Sequence, residues 1–183
     1  MDEPQFLSPL DGYYREAGLP MPRAREVQPE EIPPPFRRLL CHDQDMTPTL
    51  ASAYDEEIGL HVLKSQVRND VVSREVVLVL GDGRPVEMGA IEIHLSLLPV
   101  HVRELIAQGA TPLGAILNSE GVVHSSHPVG YFEIAPDAAI ADALDAGDAA
   151  LLYGRRNVLS HPGGEVLAEV LEILPPTDPF SAR

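Results

Sequence analysis

The chain has 183 residues, one cysteine, no tryptophan and 18 prolines, and its 28 acidic residues against 13 basic ones give a formal charge of −15. That length suits one domain with a short extension, 44% hydrophobic residues suffice for a core, and no apolar run reaches the ~18–20 residues a membrane helix needs, so no membrane partner is expected. Lys64 and 12 arginines are too few to replace counterions on phosphates against this acidic background, which excludes nucleic acid as the expected partner.

At the amino terminus, MDEPQFLSPLDG lacks the basic segment and apolar stretch of a secretory signal, and the single Cys41 has no internal disulfide partner; a cytoplasmic location is expected. Eight of the prolines lie in residues 1–35, ending in Pro33, Pro34 and Pro35. They remove backbone donors and interrupt periodicity, which predicts a proline-rich extended arm over 1–35 and a folded domain over 36–183. Phe6, Leu7, Tyr13 and Tyr14 are costly to leave in water, so the arm is expected to cover an apolar patch, as a lid or as a plain packed segment.

From Phe36, FRRLL and DMTPTLASAY predict two short helices, the second with Thr47 as N-cap and Pro48 in the first turn. Strands follow at 59–68, 71–80 and 86–97, the last two joined by the hairpin signal Gly81-Asp82-Gly83-Arg84. Val102, Leu105 and Ile106 at helical spacing predict a helix over 99–108 that stops at Gly109, and 112–117 reads as another. A strand is expected near 130–134, then a helix over 137–144 behind Asp137. A closing hairpin has strands near 150–159 and 165–174 around Pro162-Gly163-Gly164. About six strands in a mostly antiparallel sheet flanked by helices make the class α+β.

Period-two alternation places Arg74 on the strand face that carries Val72, Val76, Leu78 and Leu80. A guanidinium in a core needs a carboxylate from the protein or an anionic ligand, and composition alone leaves both open. Glu172 shares a face with Val166, Ala168 and Val170, while Glu169 sits between Leu167 and Leu171 on the other. Alternation does not choose which acid is buried and thereby suited to acid/base work. Seven histidines show no metal-ligand spacing, and His124 and His127 would point to opposite faces of a strand, so no metal site is expected. Cys41-His42-Asp43 lacks an oxyanion-hole motif, and neither GxGxxG nor GxxxxGK[ST] occurs.

Several segments in order resemble chorismate lyase and its bacterial relatives in secondary metabolism. They are DMTPTL (45–50), SREVVLVL with Arg74, LP..VRELI (98–106), TPLGAIL (111–117), YGRRNVL (153–159) and GGEVLAEVLEILPP (163–176), and the similarity runs from about Leu39 to Pro176. It implies an antiparallel sheet flanked by helices with a buried ligand pocket. In that family an arginine on the central strand and two backbone amides hold the ring carboxylate, and a glutamate on the last strand faces the far hydroxyl. These roles fall on Arg74, on the amides of Met46 and Leu113, and on Glu172 rather than Glu169. The implied activity is cofactor-free elimination of pyruvate from chorismate to give 4-hydroxybenzoate or a related hydroxybenzoate, with Arg74 as anchor and Glu172 as acid/base group. Arg155 or Arg156 is a candidate for the second substrate carboxylate, although the GRR segment also reads as structural.

The alternative is a non-catalytic binder of a small aromatic carboxylate on the same fold, since effector domains of some bacterial transcription regulators resemble chorismate lyase. Such regulators carry an amino-terminal helix-turn-helix, which residues 1–35 do not provide, so the enzyme or a stand-alone binder is expected. The arm, the connection 118–135 and the acidic stretch 137–148 lie outside the resemblance.

Overall fold

The computed structural model describes residues 5–180; residues 1–4 of the arm and 181–183 lie outside the described residues. Seven strands form one sheet: β1 (Ala24–Val27), β2 (Gly59–Arg68), β3 (Val71–Val79), β4 (Pro85–His94), β5 (Ser125–Ile134), β6 (Leu152–Ser160) and β7 (Val166–Ile173). Their spatial order is β1-β5-β6-β7-β4-β3-β2, and every neighbouring pair is antiparallel. The class is therefore α+β with an antiparallel sheet, one strand larger than expected. β2, β3 and β4 make the predicted meander, and the second group returns to lay β7 against β4. No helix among the described residues is long and apolar enough to cross a membrane.

Helices cover both faces. One face meets α2 (Pro34–Leu40), α3 (Met46–Tyr54), α4 (Val100–Gln108) and α5 (Leu113–Ser119), which bury Leu40, Leu50, Val102, Ile106 and Leu117 against Val72, Leu78, Ile91 and Ile93. The other face meets α1 (Leu10–Ala17) and α6 (Ala138–Ala143), whose Leu10, Tyr13, Tyr14 and Ile140 pack on Met88, Ala90, Phe132, Leu171 and Ile173. Strand alternation makes this two-sided core possible, because β4 carries Met88 and Ala90 to one side and Gly89, Ile91 and Ile93 to the other.

Residues 5–35 differ from the extended arm predicted. Pro9 precedes α1 instead of interrupting it, and Gly18 ends the helix at φ 65°. The Tyr14 hydroxyl donates to Asp137 Oδ2 at 2.7 Å and fixes the helix to the far end of the chain. Four residues beyond the next prolines then pair with β5 as an edge strand. α3 also begins two residues earlier than the Thr47 cap implies: Asp45 is the N-cap and makes no side-chain cap bond. Its carboxylate is engaged elsewhere, accepting from His124 Nε2 at 2.8 Å and from Asn118 Nδ2 at 3.3 Å.

Candidate functional site

Between the sheet and the α3–α5 layer lies a cavity of about 80 Å³. That is several times the ~10–15 Å³ a buried water needs and well short of the ~300–1,000 Å³ of a drug-sized site. Its size suits one ring or a short branched chain. Its sheet wall follows from register. One row across the sheet reads Arg74, Ile91, Val170, Asn157, and the next reads Val76, Gly89, Glu172, Arg155. Leu78 and Glu87 begin the third row. Directly paired residues share a face, so the charged residues of four different strands meet on one surface. Ile106, Thr111, Pro112, Leu113, Asp45 and Met46 close it from the helical side.

Arg74 stands at one end, 7% exposed. Its Nε donates to Ser65 Oγ at 3.1 Å and its Nη2 to the Ile106 carbonyl at 2.6 Å. Among the described residues no carboxylate lies within ion-pair distance of it, and Nη1 has no acceptor. Burial lowers its pKa, opposed only by the charge interaction with Tyr13. Met46 and Leu113, the first residues of α3 and α5, line the same cavity. First-turn amides have no acceptor within their own helix.

The far end is acidic. Glu172 lies on the cavity wall, whereas Glu169 faces the opposite side of the sheet, 3.9 Å from Arg156. The Glu172 carboxylate forms a short ion pair with Arg155 Nε. Arg155, fully buried, spends its other donors on the carbonyls of Leu40 (3.2 Å), His42 (3.0 Å) and Gln44 (3.0 Å). It therefore holds the loop from α2 to α3 down on the sheet instead of lining the cavity. Burial depresses its basicity, but Glu172 more than compensates and its pKa is raised overall. Arg156 lies on the opposite face, beside a small surface cleft with Tyr131 and Glu26. Neither arginine considered for a second carboxylate is at the cavity wall.

Beyond those candidates, the cavity holds Glu87 and Asn157. Glu87 is 3% exposed and its Oε2 has no partner, while burial and then the neighbouring Glu172 push its pKa well up. Asn157 donates to Ser126 Oγ at 2.9 Å and leaves Oδ1 unpartnered. The alternation that singled out Arg74 applies equally to Glu87, which shares a face with Ile91 and Ile93. At the rim, His124 bonds the Val122 carbonyl and Asp45, both at 2.8 Å. Burial works against its charge, but these two acceptors outweigh it and its pKa is raised.

No family profile and no curated protein matches the sequence. Solved structures do match in fold. PhnF from Mycobacterium smegmatis superposes with a TM-score of 0.56 at 17% identity, over 73% of this chain and 64% of that one. The chain thus spans under two thirds of full PhnF, but 89% of the separately solved PhnF effector domain, with a TM-score of 0.55 at 16% identity over 73% of this chain. The ligand-binding domain of a protein assigned to the GntR family of transcriptional regulators, from Bordetella bronchiseptica, matches at 15% identity over 67% of this chain and 85% of that one, TM-score 0.50. These matches correct the expectation of a lyase. They are with effector and ligand-binding domains, so the resemblance stands for the fold and not for elimination of pyruvate from chorismate to 4-hydroxybenzoate. The chain has the chorismate lyase-like fold.

Proposed function

We infer that this chain is a ligand-binding domain whose cavity takes a small organic acid with an apolar body, and that it senses this ligand without transforming it. The carrying observation is Arg74: a buried cation that lines the cavity and has no protein carboxylate within ion-pair distance among the described residues. Leaving such a charge unpaired costs several kcal/mol, and a ligand carboxylate removes that cost through a forked, charge-assisted contact. The amides of Met46 and Leu113 are proposed to share the same carboxylate. Val76, Leu78, Ile91, Ile106, Leu159 and Val170 supply the apolar walls. The fold likeness to an effector domain and a ligand-binding domain supports sensing as the role. The charge of −15 argues against DNA contact by this chain's own surface. A regulator acts as a whole protein, so the sequence-based exclusion of nucleic acid is narrowed to that surface.

Calorimetric titration with 4-hydroxybenzoate and the neutral 4-hydroxybenzamide tests the reading. The acid should bind at least about tenfold tighter than the amide, and Arg74→Met should weaken it about 10- to 100-fold, the ~1.5–3 kcal/mol of a charged hydrogen bond. The ligand-free variant should melt no lower than the parent, because removing an unpaired buried charge is neutral or stabilising. Equal affinity for acid and amide, or unchanged affinity in Arg74→Met, would remove the assignment.

A further inference from the structure

Glu87 stands out among the buried polar groups because no hydrogen bond or ion pair engages its carboxyl among the described residues. It reaches the cavity from β4, and its Oε2 is buried without a hydrogen-bond partner. Gly89 gives it room: a Cβ there would lie 3.3 Å from Glu87 Oε1 and 3.2 Å from Val76 Cγ2, tight enough to crowd both. A buried carboxyl with a free oxygen is costly in a ligand-free core, and such groups are retained where a ligand completes them. Its surroundings restrict what that ligand can bring. Glu172 lies beside it with Arg155 behind, and the Arg155 donors are already taken by Glu172 and three loop carbonyls. Among the described residues no cation is left free at this end to receive a second negative charge.

We propose that Glu87 sets the specificity of the cavity by hydrogen-bonding an uncharged hydroxyl or carbonyl at the end of the ligand away from Arg74, where no free cation among the described residues can receive a second carboxylate. The ligand class is then a monoanion with a polar but neutral far end. This rests on the reading of Arg74 as the carboxylate anchor. Burial and Glu172 both favour the protonated form of Glu87, which makes it a donor to an oxygen acceptor. A second ligand carboxylate would be buried at that end of a dry site with no free cation among the described residues to pair with it, which is costly.

The test is a titration of the parent, Glu87→Gln and Glu87→Ala with 4-hydroxybenzoate, benzoate and terephthalate, which share a ring and one carboxylate. The parent should prefer 4-hydroxybenzoate over benzoate by about tenfold and over terephthalate by more. Glu87→Ala should lose the preference over benzoate. Glu87→Gln, nearly the same shape, neutral and able to donate, should keep the preference for 4-hydroxybenzoate over both. If all three proteins show the same ratios while Arg74→Met loses every acid, the anchor stands and the role of Glu87 is overturned. If no acid binds the parent, both fall. Should Glu87→Ala not fold, Glu87→Met, of similar volume and without a hydrogen-bonding group, takes its place: it should lose the preference over benzoate, and keeping that preference overturns the role of Glu87.

Discussion

Burying the Arg155 guanidinium completely costs several kcal/mol of lost hydration, which only a full set of acceptors offsets. Glu172 and the carbonyls of Leu40, His42 and Gln44 form that set. Arg155→Met should therefore lose about 3–5 kcal/mol of stability, since it leaves Glu172 buried without its counter-charge. Adding Glu172→Leu should recover part of the loss, as read by urea denaturation of both variants. A loss under about 1 kcal/mol for the single change would show that Arg155 is not what holds the loop. At this scale Arg74 was legible in the sequence, because one charge in a row of apolar alternating residues is conspicuous. Glu87 was equally legible by the same rule, yet only the structure drew attention to it. The choice between Glu169 and Glu172 was not open to alternation at all, because both faces of β7 carry apolar residues.

Among elements, the meander β2–β4, the hairpin β6–β7 and helices α4–α6 follow from alternation, helical spacing and glycine stops. The first 35 residues do not. Prolines were read there as breakers, but a proline at the start of a helix costs nothing, since the missing amide is one that helix leaves unpaired anyway. β1 is four residues long and exists because β5 offers an open edge, a long-range cause that no local pattern contains. α1 carries measurable weight in the core: Leu10 is 1% exposed and packs in the cluster with Met88, Phe132 and Ile173. Leu10→Ala should lower stability by about 2–5 kcal/mol, measured as a fall in the midpoint of urea denaturation. An effect below about 0.5 kcal/mol would mean that the segment before β1 is an appendage and not part of the fold.

For the whole molecule, the order β5-β6-β7-β4-β3 decides where the charges meet. The hairpin register pairs Arg155 with Glu172, and counting outward equally from Gly163-Gly164 arrives at that pair. What counting does not supply is β7 lying against β4, which brings Glu172 beside Gly89, next to Glu87 and onto the face that carries Arg74. The cavity is thus a product of long-range pairing, and its polarity differs from that of the surface: a chain of charge −15 places one buried, unpaired arginine where an anion fits. Recognition of an acid then comes from short-range contacts in a dry site, since the overall field repels anions. The most direct check is a crystal structure with 4-hydroxybenzoate. Its carboxylate should lie within ~3 Å of the Arg74 guanidinium, inside the cavity lined by Gly89, Ile91 and Ile106. Density for the acid outside that cavity, or inside it with Arg74 left untouched, would contradict the assignment.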